Sequence, residues 1–312
     1  MLARGHRPAI PDQLQDRLVL AFALVLIIGV PAFGVYYWLD RHPDPGPSMA
    51  ERAVAEAEQA VRDAPSDLTL RNRLASAYVG ATRYQDGIKQ FGESLVLAPD
   101  NRDALLGRGI AYRMSERPEL ALADFERLVT VASGGEMASV DPELQQAYYE
   151  IGLIHLAQGR PAQAVTALQS ALRISSSDAD SLYAYGSALI ETGDATGGVA
   201  ALRRAVAFVP SGWCEPYYRM ADGYAALRDA AGTAYAGGMV AFCEGRLDEA
   251  AASLAPLVDG AYRVDARLGL ALTAAANGDS PTAIGYYRQV LAEEPDNASA
   301  LIGIGQLGGG GG

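Results

Sequence analysis

The sequence has few of the residues from which most metal and covalent sites are built. Its 312 residues include two cysteines and three histidines. Two cysteines form neither a disulfide-dense framework nor a four-thiolate zinc site. The sequence also lacks histidine pairs with metal-ligand spacing, a phosphate-binding glycine loop, a nucleophile elbow and a haem-attachment motif. We therefore predict no catalytic residues, no metal and no cofactor, and the chain is not expected to be an enzyme.

Positive charge is also scarce. Lys89 is the only lysine, and 25 basic residues face 37 acidic ones, which gives a net charge of −12. Nucleic-acid binders neutralise phosphates with Lys and Arg, so this balance argues against nucleic acid as a partner. Residues 49–312 carry the whole excess of negative charge. That part of the chain therefore favours basic or neutral protein partners over anionic lipid surfaces.

One long apolar run stands near the amino terminus. The 22 residues from Leu18 to Leu39 carry no charged side chain. About 20 apolar residues are enough to cross a bilayer as a helix. Tyr36, Tyr37 and Trp38 cluster at the end of the run, where aromatic side chains prefer the membrane interface. The run predicts a transmembrane helix that contacts the lipid bilayer.

A cleaved signal peptide is the alternative interpretation of this run. Its apolar core would be short, and Ala32 and Gly34 would mark a small-residue cleavage site. With either interpretation the rest of the chain is exported. Three arginines precede the run and only Arg41 follows closely, so the positive-inside rule places the amino terminus in the cytoplasm. We expect a single-pass protein of the cytoplasmic (inner) membrane with an extracytoplasmic, periplasmic body.

These features divide the chain into five segments. Three prolines follow the apolar run closely and predict a stiff linker. A run of glycines ends the sequence. The predicted segments are a cytoplasmic segment (1–17), a transmembrane helix (18–39), a Pro-rich linker (40–48), a repeat domain (49–307) and a Gly tail (308–312).

After the linker, small residues recur at a fixed distance. The separation is 34 residues for Ala75 and Gly109, for Gly152 and Gly186, and for Ala271 and Gly305. Self-similarity at this period is typical of a solenoid of helical hairpins, none of which buries its apolar face alone. Gly-Arg or Gly-Asp pairs predict the turns within hairpins, at Gly159, Gly193, Gly245 and Gly278.

The residues between these marks resemble the tetratricopeptide repeat. One unit matches in full, at Ala75, Tyr78, Gly87, Phe91, Ser94 and Pro99, and the next begins with Gly109, Tyr112, Ala121 and Phe125. The resemblance implies an all-α fold, a right-handed superhelical solenoid of about six to seven helical hairpins. In such a fold small residues let two helices approach closely, while a large apolar side chain fills the groove between hairpins.

Two departures interrupt the repeat. Gly109 and Gly152 are 43 residues apart, which predicts an insertion in the loop Ser133–Pro142. Ala221 and Gly238 are 17 residues apart, half a repeat. Either one helix is duplicated there or the phase switches, so the inward-facing helices beyond that point stay undetermined.

The resemblance also implies a partner-binding surface. In this family the first helix of each hairpin lines the concave face, which typically holds an extended or helical peptide. The candidate residues on that face are Tyr149, Tyr183, Tyr218, Leu106, Ile110 and Leu153. An aromatic row beside apolar residues suits a hydrophobic peptide or an amphipathic helix. The alternative is that these tyrosines only support helix packing.

Some relatives in this family clamp a carboxylate with Lys, Arg and Asn on successive first helices. Asn72 and Arg73 could imitate part of that device, but later units supply Glu150 and Asp222 instead. We therefore do not expect a carboxylate clamp. His155 occupies an aromatic packing position, which predicts a core residue.

The two cysteines fall in the irregular region. If helices flank a turn near residue 229, Cys214 lies fifteen residues before it and Cys243 fourteen after it. The two thiols would then lie at the same height of an antiparallel hairpin. The sequence leaves two outcomes open, a disulfide that staples the hairpin or two buried free thiols.

Together these features predict a non-catalytic, membrane-anchored scaffold that holds protein partners at the extracytoplasmic face. It would act as an assembly factor, resembling the tetratricopeptide components of cytochrome c maturation, or as an accessory subunit of a membrane complex. The alternative is a binder of envelope glycan or of a lipid carrier, because an aromatic groove also suits glycans.

Overall fold

The computed structural model describes the backbone of residues 12–41, 48–207 and 211–308. Side chains are described in these ranges except for residues 12–22, 39 and 40. The chain divides into two units, Met1–Ala55 and Glu56–Gly312. The described residues are almost entirely helical and contain no strand, so the predicted all-α class is confirmed.

The first unit contains α1 (Asp12–Arg41), a helix of 30 residues that includes the predicted span. Its described apolar side chains are exposed, among them Tyr36, Tyr37 and Trp38 at 65%, 49% and 59%. A search of the described residues found no helix with the length and apolar character needed to cross a membrane. The side chains of residues 18–22 and 39, which belong to the predicted span, lie outside the described residues, as does most of the predicted linker.

The repeat domain is a succession of short helices. They begin with α2 (Met49–Asp63), which lies across the boundary between the two units. The helices that follow are α3 (Leu68–Gly80), α4 (Tyr84–Leu97), α5 (Arg102–Met114), α6 (Pro118–Ala132), α7 (Pro142–Ala157), α8 (Pro161–Ile174), α9 (Ala179–Glu191), α10 (Ala195–Val206), α11 (Glu215–Ala226), α12 (Ala230–Cys243), α13 (Leu247–Leu254), α14 (Arg263–Ala276), α15 (Ser280–Glu293) and α16 (Ala298–Gly308).

Six helical hairpins are formed within the described residues, in the number that the sequence predicts. They are α3/α4, α5/α6, α7/α8, α9/α10, α12/α13 and α14/α15. First helices of successive hairpins also pack on one another, as α3 does on α5 and α5 on α7, except that α9 packs on α11 and not on α12. This first-helix layer is the surface that the family resemblance makes the binding face.

Small residues permit the close helix contacts that the repeat motif predicts. A Cβ atom added at Gly109 would lie 2.5 Å from the ring of Phe125, and one at Gly152 would lie 2.5 Å from Leu168. Phe125 and Leu168 are both fully buried. Because no Cβ fits there, each large side chain packs directly against the backbone of the first helix.

The turns inside the hairpins require a left-handed backbone. The four glycines predicted at these turns have φ values between +66° and +92°. The same conformation occurs at Thr82, Glu116 and Arg228, with φ of 59°, 61° and 56°. These three residues have a Cβ atom and therefore adopt the left-handed conformation with strain, at turns where the other hairpins have glycine.

The predicted insertion forms a short ordered connection. It contains a 3₁₀ helix, Ala138–Val140, followed by Asp141, which caps α7 by accepting hydrogen bonds from the backbone N–H groups of Glu143 and Leu144. Arg102 of the preceding unit donates to the Asp141 carboxylate at 2.6 Å. The guanidinium and the two backbone donors hold the pKa of Asp141 below its ordinary value, although burial opposes them. The cap therefore ties the insertion to α5.

The half-repeat consists of one additional helix. Up to α11 the odd-numbered helices pack on one another, whereas from α12 onward the even-numbered ones do. Helix α11 thus follows the first-helix series but has no second helix of its own. Cys214 precedes α11 and Cys243 ends α12, and the two are joined by a disulfide with a Cα–Cα distance of 5.9 Å.

Four tyrosines fill the core around this additional helix. Tyr217, Tyr224, Tyr235 and Tyr262 are all at most 9% exposed. The hydroxyl of Tyr262 donates to Asp229, the cap of α12, at 2.5 Å. Burial raises the pKa of each tyrosine, so all four are neutral near pH 7.

An ion pair lies at the solvent-exposed edge of the same core. Arg203 of α10 donates to Asp265 of α14 at 2.7 Å, and these two residues are 62 positions apart. The Arg203 guanidinium also lies 5.8 Å from the centre of the Tyr262 ring. This region therefore joins helices that a regular solenoid would keep apart.

Candidate partner-binding surface

A cleft of about 360 Å³ opens between α3 and α5 on the first-helix layer. Leu106 and Ile110, both predicted binding residues, line it together with Asn72 and Arg73 of the preceding helix. Leu106 and Ile110 lie on the same face of α5 because residues four positions apart are one helical turn apart. The structure thus places the apolar candidates Leu106 and Ile110 of α5 next to the polar residues Asn72 and Arg73 of α3.

Asn72 is the polar group at the base of this cleft. It is 6% exposed, and its Nδ2 donates to Asn101 Oδ1 at 3.0 Å. Asn101 Oδ1 also accepts from the backbone N–H of Ala104 at 2.9 Å and thereby caps α5. This bond fixes the orientation of the Asn72 amide, and its buried Oδ1 has no hydrogen-bond partner. Asn72 therefore links α3 to the cap of α5 beside the cleft.

Charges at the rim of the cleft differ in sign. Arg73 is exposed, and Asp103 lines the cleft from the first turn of α5. Apolar side chains on one wall and a polar base with both charges nearby match the backbone and side chains of an extended peptide.

The next first helix continues the surface with Tyr149 and Leu153. Both are partly buried and pack on the core between α8 and α9. Burial and the nearby carboxylates raise the pKa of Tyr149 to about 12, so its hydroxyl stays protonated and able to donate. These two residues present an apolar surface with one hydroxyl.

An ion pair joins α5 and α7 on the same layer. Arg113 Nε lies 2.6 Å from Glu150 Oε2, and Glu150 is 4% exposed. Burial raises the pKa of Glu150, and the Arg113 charge opposes that rise. Arg108 is also engaged, because it donates two hydrogen bonds to Asp124. Neither arginine has the free guanidinium that a carboxylate clamp would need.

The predicted tyrosines of the concave face, Tyr149, Tyr183 and Tyr218, have different surroundings in the structure. The Tyr183 ring meets the edge of Trp213 with centroids 5.1 Å apart. Tyr218 is 44% exposed, and its hydroxyl donates to Glu244 at 2.8 Å. Tyr235, which has the same spacing in the sequence, is buried in the core around α11. Trp213 carried no repeat signal, because it lies in the loop between α10 and α11.

The second half of the chain also has a cleft, which lies between the ends of α13, α14 and α15. It measures about 260 Å³ and is lined by polar residues such as Asp248, Asn277 and Asp279. No group of three or more His, Cys, Asp or Glu side chains with a geometry for a metal ion was found among the described residues.

Comparison with solved structures identifies tetratricopeptide proteins with low sequence identity. The MamA RS-1 ArsTM double mutant has a TM-score of 0.51 at 16% identity, over 58% of this chain and 96% of that one. PilW, a widely conserved type IV pilus biogenesis factor, has a TM-score of 0.46 at 16% identity, over 75% and 97%. The APC/C hetero-tetramer Cut9–Hcn1 has a TM-score of 0.48 at 14% identity, over 83% of this chain, which spans only 46% of its length.

No curated protein matches the sequence. A family model described as tetratricopeptide repeat matches residues 72–136, 149–212, 235–298 and 268–307, which together make up more than half of the chain. These matches cover both halves of the solenoid on either side of α11, in agreement with the six hairpins. The chain belongs to the tetratricopeptide repeat family.

Proposed function

We propose that this protein is a scaffold that binds a peptide segment of a protein partner in the cleft between α3 and α5. The observation that carries the proposal is the cleft itself, which lies between two first helices and combines the apolar Leu106 and Ile110 with the charges of Arg73 and Asp103. Apolar side chains of the peptide cover Leu106 and Ile110 on α5, and its polar groups meet Arg73 and Asp103. Tyr149 and Leu153 extend the contact surface onto α7.

We further propose that the scaffold is attached to a membrane and works at its extracytoplasmic face. The support comes from the uncharged run Leu18–Leu39, from the exposed apolar side chains of α1 and from the arginines that precede the run. An assembly factor and an accessory subunit of a membrane complex both fit this arrangement. Native purification without crosslinker distinguishes the two roles. An accessory subunit stays with its complex, whereas an assembly factor that binds transiently is lost.

Affinity purification from native membranes, followed by mass spectrometry, tests the binding surface. The full chain is compared with Ile110→Arg, which places a charge in the cleft, and with Leu97→Arg. Leu97 is 62% exposed at the end of α4 and does not line the cleft, so it is a matched control. We expect one set of proteins to co-purify with the wild type and Leu97→Arg and to be lost with Ile110→Arg. Equal recovery with all three chains would contradict the proposed surface.

The class of partner is tested in the same preparation. Recovery of a glycan or lipid in place of proteins would favour the alternative of an envelope-polymer or lipid-carrier binder. Membrane attachment and orientation are tested separately by an alkaline phosphatase fusion after residue 307, since that reporter is active only after export. An inactive fusion in the soluble fraction would contradict the proposed location.

A further inference from the structure

A second groove lies away from the first-helix layer, between α6, α7 and α8. It measures about 490 Å³, within the range of ligand-binding pockets. Its floor is formed by Tyr148, Ile151 and His155 of α7, and its walls by the second helices on either side. The groove thus opens on the second-helix side of the solenoid, opposite the proposed peptide cleft.

The repeat itself shows why this groove is open. Ile151 occupies the position that Arg108 occupies one unit earlier, and Ala167 occupies that of Asp124. Arg108 and Asp124 pair across the preceding groove at 2.7 Å, and the space left there is about 230 Å³. One unit later the position of Ile151 is held by Tyr185, which packs on the α8–α9 core. The units directly before and after therefore carry a longer side chain at this position than the unit of Ile151 does.

The threonine and serine hydroxyl groups that line the groove are already hydrogen-bonded. Thr130, Thr166 and Ser170 each donate to the backbone carbonyl four residues earlier in their own helix. They therefore present methyl and methylene groups to the groove. One buried polar atom is left without a partner, His155 Nδ1. Burial and the Arg160 charge lower the pKa of His155, so the ring is neutral near pH 7.

The groove continues past the insertion. A neighbouring cleft of about 260 Å³ shares Tyr148 and Ser170 with it and reaches Ile174 at the end of α8. At 1.5 Å per residue, the stretch from Gln163 to Ile174 is about 16 Å long, or three helical turns. Met137, in the insertion, is exposed at 68%. The apolar surface is therefore longer than a single side chain.

One charge on the rim has no counterpart. Glu126 lines the groove from α6, and its carboxylate forms no ion pair with any side chain in the described ranges. The adjacent Arg127 is paired with Asp100 at 3.0 Å. The α6 wall thus offers one unpaired negative charge beside an apolar groove.

From these features we infer that the outer groove binds an amphipathic helix of a partner protein. Large apolar side chains, one turn apart on the partner helix, enter the groove beside Ile151. In the neighbouring units the equivalent space is filled by the chain's own side chains, Arg108 and Tyr185. A lysine or arginine on the same helix faces Glu126. Two faces of the solenoid would then bind different segments.

The test uses two synthetic peptides of about 15 residues with the same composition. In one, three leucines lie one turn apart on one helical face beside an arginine, and in the other the leucines are distributed around the helix. Fluorescence anisotropy measures their binding to the full chain and to the double variant Ile151→Arg/Ala167→Asp. That variant copies the Arg108–Asp124 pair into the groove. Ala167→Leu serves as a second filling variant, should the ion pair disturb folding.

We expect saturable binding of the amphipathic peptide and at least tenfold weaker binding to a folded groove-filled variant. Glu126→Lys should weaken it several-fold at low salt, whereas Glu56→Lys, the same charge change on exposed α2, should not. The inference is overturned if the wild-type chain does not bind the peptide, if both peptides bind alike, or if filling the groove has no effect. Circular dichroism melting identifies the variants that fold.

Discussion

Cys214 and Cys243 join the beginning of α11 to the end of α12 through a disulfide that spans 29 positions. The bond holds the start of α11, the additional helix, against the end of α12, the first helix of the next hairpin. A loop of this length constrains the unfolded chain, and in the chain-entropy treatment it contributes about 3–4 kcal/mol.

We therefore predict that Cys214→Ser/Cys243→Ser is destabilised by about 3 kcal/mol, measured by urea unfolding against wild-type protein purified under non-reducing conditions. Wild-type protein treated with reductant should match the variant. Thiol labelling under denaturing, non-reducing conditions provides the control, because two labelled thiols in wild-type protein would show that the bond is absent.

The left-handed turns predict two opposite changes in stability. Glu116→Gly should stabilise the fold by about 1 kcal/mol, since glycine adopts its φ of 61° without a Cβ penalty. Gly159→Ala, at the equivalent turn of the next unit, should destabilise by a similar amount. Thermal unfolding measures the Tm of both variants against the wild type. A change of Tm in the same direction in both variants would contradict the prediction.

Helix glycines divide into those that are needed and those that are not. A Cβ at Gly107 would lie 2.1 Å from Cζ of the buried Phe91, so Gly107→Ala should cost about 1–3 kcal/mol. Gly285 of α15 has no atom within 4 Å of such a Cβ, so Gly285→Ala should stabilise by about 0.5–1 kcal/mol. Urea unfolding measures the stability of both variants. Equal changes in the free energy of unfolding would mean that the contact with Phe91 does not exclude a side chain at Gly107.

Asp265 predicts a specific dependence of stability on pH. Burial raises its pKa above the ordinary value of 3.8 more than the Arg203 charge lowers it. The folded state then keeps a proton that the unfolded state releases, so the stability contributed by Asp265 falls as pH rises from about 3.8 through the folded pKa. Wild-type protein should lose stability relative to Asp265→Asn over that interval and stay level above it. A constant difference between the two would contradict the raised pKa.

Much of the fold was predictable from local sequence. Small residues at one spacing and large apolar residues at another predicted the hairpins, because their packing depends on volumes that each residue type supplies by itself. The glycine turns were predictable because glycine adopts a positive φ without a Cβ penalty. Thr82, Glu116 and Arg228 were not, since a side chain that tolerates positive φ leaves no mark in the sequence.

The surroundings of the candidate binding residues were predictable only in part. Leu106 and Ile110 line a cleft as expected from their helical positions, but the three predicted tyrosines lie in different surroundings. Their contacts depend on neighbours such as Trp213 and Glu244 that lie outside the repeat motif. His155 lines the outer groove and is only partly buried, because Ile151 and Ala167 are too small to fill the space beside it.

The Arg203–Asp265 pair alters how the solenoid is expected to unfold. In a regular repeat array each unit contacts only its neighbours, so helices at an end can separate one after another while the rest stays folded. Here α10 is bonded to α14 across three intervening helices, and α11 is covalently joined to α12. Loss of α14 would therefore remove support from α10 at the same time. Residues 195–276 should open as one cooperative block, between ends that fray independently.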